Sequence, residues 1–304
     1  MAADRGLIQT FKAIKGVLDF GTPIGYSLAG KVLAVGENIR DIHVGDRVAA
    51  SGAGAANHAE ITAVPRLLVT KLPDELDFAA ASSVTLGAIA LQGVRQADLR
   101  LGETVAVIGL GLIGQLTCQL LKNSGCKVYG LDIDEKRLQL AKSFGIEMAT
   151  ALPSKAASVD ATIITASTDS SDLINKAMEI TRKRGKVVVV GAVGLNLQRN
   201  PWYEKEIDLK ISCSYGPGRY DASYEEEMLD YPLPYVRWTE NRNMEEYIRL
   251  LAEGKVDFMS LKPEEFALEE AAQAYAKLKT ERPLAMLLKY KNDAKTDEKT
   301  IRIT

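Results

Sequence analysis

The sequence predicts an α/β protein, a parallel doubly wound sheet flanked by a smaller β-rich lobe drawn from both chain ends. Three observations predict it. From Thr104 to Ser214, strand-like and helix-like segments alternate. The strand-like segments are apolar throughout, as expected of strands covered by helices on both faces. The first of them runs directly into a glycine triplet, Gly109-Leu-Gly111-Leu-Ile-Gly114, that opens a helix.

Taken in order, residues 1–24 include a partly helical stretch, LIQTFKAIKGVLDF. Strand-like runs follow at 30–36 (GKVLAVG), 46–51 (DRVAAS), 58–64 (HAEITAV) and 67–72 (LLVTKL), separated by turn residues. Short strands at that spacing predict a small barrel or sandwich. Pro73-Asp74 then opens an Ala-rich helical stretch, DFAAASSVTLGAIALQGV, suited to close packing between two domains. Next come strand 104–110, helix 112–125, strand 127–133 and helix 135–145, each helix ending at a glycine. Strand 160–166, helix 170–185, strand 186–192 and strand 208–214 complete the alternation. Residues 214–243 hold no clear period. Helices are expected at 244–256 and 268–280, a strand at 284–290, and a loose charged tail, NDAKTDEKTIRIT. The expected division is a sheet domain at 84–230, with the lobe made from 1–83 and 231–304.

Composition narrows the function classes. The 304 residues carry 38 Lys+Arg against 40 Asp+Glu, for a net charge of -2. Nothing there suggests a nucleic-acid or anionic-membrane partner. No apolar run approaches the roughly 18 residues of a membrane span. Cys118, Cys126 and Cys213 are too few and scattered for a disulfide framework, so a reducing cytoplasm is the expected compartment. Cys118 and Cys126 are expected in the core, and packing is the better reading of Cys213.

The glycine triplet carries the chemistry. Gly109 allows the tight strand-to-helix turn, Gly111 lets the backbone approach a pyrophosphate, and Gly114 lets helix and strand pack closely. Leu112 and Ile113 lie between the last two glycines, in the first helical turn, whose free N–H groups suit phosphate. Asp132 ends the second strand about 20 residues on, where a carboxylate binds the adenosine ribose hydroxyls. The pattern predicts a Rossmann domain holding NAD, since Asp132 would repel the 2′-phosphate of NADP. Arg137, one turn into the next helix, is the residue that speaks for NADP.

These residues resemble the medium-chain, zinc-type alcohol dehydrogenase superfamily. The matching stretches are GYSLAGKVLAVGENIRDIHVGDRV, LPDELDFAAASSVTLGAIAL, ETVAVIGLGLIGQLTCQLLKNSG and LDIDEKRLQLAKSFG. More narrowly, TLGAIALQGVRQAD, SYGPGRYD and DYPLPYVRWTENRNM resemble the dehydrogenase module of bi-domain oxidoreductases. The resemblance implies a GroES-like lobe beside the Rossmann domain. It also implies nicotinamide contacts at Val190, Gly191 and Ala192, with Thr165 and Ala166 ending the neighbouring strand beside the cofactor.

The departures bear on mechanism. Members with catalytic zinc carry Gly-His-Glu where this chain has Gly25-Tyr26-Ser27, and a later cysteine ligand falls near Val84. SGAGAANHAE stands in place of the four-cysteine lobe. No metal site is expected. Relatives also carry several dozen residues ahead of the Gly25 region, so either the lobe is reduced or the chain is a fragment. Without zinc, the expected donors to the substrate oxygen are Tyr26, Tyr215 and Arg219. His58 is a loop histidine weighed as a lesser candidate, and Glu225–Glu227 read as a solvated helix face. The expected function is NAD-dependent, zinc-independent hydride transfer between nicotinamide and an alcohol or carbonyl substrate, sugar-related substrates included. The alternatives are an NADPH-dependent quinone-type reductase and a non-catalytic dinucleotide-binding module. A homo-oligomer is expected, with 208–214 as its edge strand.

Overall fold

The structure, a computed structural model, describes residues 23–148 and 159–291. The LIQTFKAIKGVLDF stretch and the charged tail lie outside the described residues. The first lobe holds an antiparallel sheet of β1 (Ser27–Lys31), β2 (Arg47–Ser51) and β3 (Val69–Lys71), in the order β1-β2-β3. Two helices follow, α1 (Phe78–Ala81) and α2 (Val84–Ala97).

The sheet domain then begins with β4 (Thr104–Ile108), α3 (Leu112–Asn123), β5 (Lys127–Leu131) and α4 (Glu135–Ser143). It continues through β6 (Glu147–Met148), β7 (Val159–Ile164), α5 (Asp172–Ile180), β8 (Thr181–Val189), α6 (Arg199–Lys205) and β9 (Asp208–Ile211). Its six strands are parallel in the order β6-β5-β4-β7-β8-β9. The order reverses between β4 and β7, the switch point at which such sheets bind ligands. Alternate residues serve opposite faces. Val105, Val107, Ile163 and Val188 pack with Leu121 and Leu138, while Ala106, Ile108, Ile164 and Val187 pack with Ile174 and Met178.

Beyond the sheet come α7 (Ala222–Glu225), α8 (Glu240–Ala252), β10 (Glu264–Ala267), α9 (Ala271–Thr280) and β11 (Met286–Lys289). β10 and β11 pair in parallel. Met244, Tyr247 and Ile248 of α8 join Ala88 and Leu91 of α2 in one core.

Several local expectations are corrected. Among the described residues the lobe has an open three-stranded sheet and a separate strand pair, with no closed barrel. Residues 58–64 form no strand, because Ala59, Glu60 and Ile61 are all exposed and the run offers no buried face. The strand expected at 30–36 sits at 27–31, leaving Leu33 and Val35 exposed. The helix expected to reach Gly185 stops at Ile180. There Thr181 bonds Thr162 across the sheet at 2.8 Å, and Arg182 turns to Asp160 at 2.6 Å. The helix expected at 244 begins at Glu240, where Thr239 caps it by accepting the Arg242 N–H. β6, α6 and β10 are additional: two to seven residues long, they are too short for a period to be visible.

Candidate functional site

The glycine turn is built by close approach. Gly109 has φ +95°, and a side chain there would lie 2.7 Å from the Ala166 nitrogen. A Cβ on Gly114 would collide with the Gly109 carbonyl oxygen and lie 2.9 Å from Thr165 Oγ1. Thr165 Oγ1 in turn donates to the Gly109 carbonyl at 2.5 Å. A Cβ on Gly191 would collide with the Ala166 carbonyl. The fold thus brings Gly109, Gly114, Thr165, Ala166 and Gly191 to one place, at the carboxyl ends of β4, β7 and β8. Val190 joins them from the other side, where it packs against Gly93 of α2.

Gly111 is different: its chain neighbours aside, no atom of the described residues lies within 4 Å of where its Cβ would stand. It is the N-cap of α3, and no side chain caps that helix. Leu112 and Ile113 begin it, so the first-turn N–H groups point their positive end at an open cradle. Those features fit a pyrophosphate.

Asp132 reaches this turn from β5. Its side chain is 5% exposed. Oδ2 accepts the Leu110 N–H at 2.6 Å and Oδ1 accepts the Asp134 N–H at 2.9 Å. Arg137 lies 3.7 Å from Asp132 and 3.6 Å from Asp134, shared between two carboxylates. Between them Ile133 is fully exposed, an apolar surface that the sequence reading missed although it sits inside the Asp-Ile-Asp signal. At β8, the Val190 and Gly191 N–H groups both donate to the Ile164 carbonyl at 2.9 Å, and the Ala192 carbonyl accepts from Thr168 at 2.7 Å. These bonds fix the shape of the strand end.

The expected catalytic donors are distributed otherwise. Tyr26 is 43% exposed, and burial of the rest of its ring raises its pKa. Its carbonyl accepts the Thr85 hydroxyl at 2.9 Å, so the positions of Tyr26 and Val84 are neighbours in space. Tyr215 and Arg219 keep other company. Tyr215 is buried and its hydroxyl has no partner among the described residues. Burial, then the neighbouring Glu240, drive that phenol's pKa upward. Arg219 holds Glu225 at 2.6 Å, which corrects the reading of Glu225 as solvated: its side chain is 14% exposed. Desolvating a carboxylate is tolerable here because the guanidinium neutralises it.

Glu240 beside them is fully buried, with neither oxygen hydrogen-bonded among the described residues. Burial, reinforced by Glu225 and partly offset by Arg219, pushes its pKa up to about 9. No sequence signal marked it. Cys118 and Cys126 are buried as expected, but Cys213 is exposed, because it lies past the end of the edge strand. Among the described residues no three His, Cys, Asp or Glu side chains gather as metal ligands would. A surface cavity of about 580 Å³ runs along Asp41, Arg66, Lys71, Glu245 and Arg249. It shares no residue with the glycine turn, and its Arg66 and Arg249 are already paired with acids.

A glycine-turn parallel sheet beside a β-rich lobe is also what comparison with known proteins finds. The family described as zinc-binding dehydrogenase matches residues 113–230. (R,R)-butanediol dehydrogenase of Bacillus subtilis (strain 168) is 28% identical over 228 residues, covering 63% of this chain and 65% of that protein. The match thus spans slightly less than two thirds of that relative's length. The crystal structure of 2R,3R-butanediol dehydrogenase from Bacillus subtilis superposes with a TM-score of 0.69 at 23% identity, over 89% of this chain and 81% of that one. Galactitol-1-phosphate dehydrogenase from Escherichia coli gives 0.70 at 20% identity, over 88% and 84%. The family match lies in the glycine-turn sheet, and over the larger part of the chain the fold is similar to that of these dehydrogenase structures. No helix among the described residues is long and apolar enough to cross a membrane.

Proposed function

We propose that this chain is an NAD(H)-dependent oxidoreductase that moves a hydride between the cofactor and an alcohol or carbonyl carbon of a small molecule, without a catalytic metal. The observation that carries the reading is Asp132, buried at the end of β5 and bonded to the Leu110 N–H of the glycine turn. A carboxylate has about four lone-pair sites, and the two backbone bonds leave capacity for ribose hydroxyls. A 2′-phosphate at that place would meet both Asp132 and Asp134 with only Arg137 between them, which favours NAD over NADP. Ile133 would offer its exposed side chain to the adenine face.

Bound nicotinamide supplies the hydride acceptor or donor. The protein positions it: the α3 N-terminus and Gly111 hold the pyrophosphate, and the Val190–Ala192 strand end supports the nicotinamide beside Thr165 and Ala166. The domain division at 84–230, the lobe on either side of it in sequence, and a homo-oligomer all belong to this reading. The relatives' named substrates, a butanediol and a sugar-alcohol phosphate, make a polyol or hydroxyketone the first substrate class to try. Residue chemistry supports metal independence. Tyr26 and Val84 occupy adjacent positions where zinc-bearing relatives place ligands, and valine cannot bind zinc. The test is calorimetric titration with NADH and NADPH, followed by a secondary-alcohol panel with NAD. Failure to bind either nucleotide would defeat the proposal.

A further inference from the structure

The loop that leaves β9 folds back over a buried acid. The Ser212 N–H donates to the Val189 carbonyl at 2.9 Å, so the chain departs the sheet beside Val190, at the strand end proposed to support nicotinamide. The loop then returns onto the first turn of α8. The Glu240 N–H donates to the Pro217 carbonyl at 2.9 Å. A Cβ on Gly218 would stand 3.1 Å from Glu240 Oε1 and 2.7 Å from the Tyr224 ring. Glu240 thus lies between this loop and α7, fully buried, and neither carboxyl oxygen has a hydrogen-bond partner among the described residues. The helix side of the contact is anchored. Thr239 caps α8, and Asn241 donates to the Leu67 and Val69 carbonyls of the lobe at 2.9 and 3.1 Å. The loop side is held less firmly. Asn243 fixes its root by donating to the Tyr215 carbonyl at 2.9 Å. Ser214 and Tyr220, however, sit in the left-handed region at φ +47° and +67°, a strained conformation for residues with side chains.

We propose that Glu240 is a proton-operated latch: protonated, it lets the loop of residues 216–221 close over it, and its ionisation opens that loop to water. Arg219 already holds Glu225 at 2.6 Å, and that pair is neutral as a unit. A second carboxylate would add an unpaired negative charge to the same enclosed space, and a buried charge without a partner is costly. Burial and Glu225 together outweigh Arg219 and push the Glu240 pKa up to about 9. The other ionisable groups its charge reaches are Tyr215, Tyr224 and Tyr231. Burial raises the first two phenols, and the hydrogen bond to Asp221 raises the third, so all three stay neutral while Glu240 titrates. Charges on the elements packed against α8 are engaged elsewhere. Arg66 and Lys71 of the lobe pair with Asp41 and Asp46, and Arg95 of α2 lies over Trp238 with its Nε on Asn243. With the loop open, Glu240 returns to its ordinary value near 4.5. The closed form is therefore fully favoured below that value, and its advantage shrinks about tenfold per pH unit from there to the closed-state pKa.

Hydrogen exchange of the full chain, without cofactor, tests the latch. The Arg219, Asp221 and Glu240 amides each donate to a carbonyl of this loop, so they report its opening. Their protection factors, which remove the intrinsic dependence of exchange on pH, should fall about tenfold per pH unit between pH 6 and pH 8. Glu240→Gln keeps the shape but cannot ionise, and its protection should stay flat over the same range. Constant protection in the unmodified chain would overturn the latch, whether or not the variant folds. A fall that persists in Glu240→Gln would overturn it as well, since another group would then control the loop. Because the loop leaves the sheet beside Val190, its opening should also weaken NADH binding, and this step rests on the cofactor reading above. In calorimetry, NADH affinity of the unmodified chain should drop as pH rises over that range, and that of Glu240→Gln should not. No NADH binding at any pH would defeat the cofactor reading, with the latch still decided by exchange. An affinity indifferent to pH, in a chain whose loop does open, would overturn the link between latch and cofactor.

Discussion

The Asp132 carboxylate accepts the Leu110 N–H at 2.6 Å, so the residue that ends the second sheet strand also holds the glycine turn in shape. Cofactor choice and turn geometry are therefore coupled at one side chain. We expect NADH to bind more tightly than NADPH. Asp132→Ser should narrow the gap, and should also cost stability on the order of 1–3 kcal/mol by leaving the Leu110 N–H without its acceptor. Equal affinities in the unmodified chain, measured by calorimetry, would defeat the assignment.

Gly111 and Gly114 should separate binding from folding. Gly111→Ala adds a methyl where, chain neighbours aside, no atom of the described residues lies within 4 Å, so Tm should hardly change while NADH affinity falls. Gly114→Ala drives a methyl into the Gly109 carbonyl, and overpacking of that kind costs about 1–3 kcal/mol or more. Thermal melts and NADH titrations of the two variants should show opposite patterns. Equal loss of Tm in both would mean that the open cradle is not there.

Glu240 makes stability depend on pH in a definite direction. Its folded pKa, about 9, lies above its unfolded value, so folding favours the protonated form. That contribution is fully present below the unfolded pKa near 4.5 and is lost as pH rises towards 9. Glu240→Gln should melt near the parent at pH 4–5 and above it at pH 8, by roughly 3 kcal/mol at pH 7 before any relaxation. A gap that does not grow with pH would show that Glu240 has found a partner.

Metal content tests the mechanism from the other side. Protein purified without chelator should contain far less than one zinc per chain, and a chelator should leave turnover unchanged. Stoichiometric zinc, or activity removed by chelator and restored by zinc, would overturn the metal-free reading.

β9 ends the sheet, with Ile211 59% exposed on it. An uncovered edge strand invites pairing, so the chain should be a homo-oligomer in solution. Light scattering should give a multiple of 33.1 kDa, and Ile211→Lys should shift it towards a monomer. A monomeric parent at micromolar concentration would end this proposal.

What the sequence determined by itself was local and periodic. Apolar strands, glycine-ended helices and the Gly109–Gly114 spacing depend on neighbours in the chain, so the sheet and the shape of its glycine turn were legible. So was Asp132, because the distance from turn to second strand is set by one helix and one turn. Tertiary structure decided what depends on distant partners. Tyr215 and Arg219 looked like free donors beside a glycine-rich loop, yet Arg219 is held by Glu225 and Tyr215 is sealed beside Glu240. Residues 58–64 alternated like a strand, but no neighbouring strand was there to give the alternation a buried side. His58 and Tyr275, 217 residues apart, meet only because α9 folds back over the Gly25 segment. A hydrogen bond between residues that far apart leaves no spacing for a sequence to display, since its geometry exists only after both ends of the chain have packed.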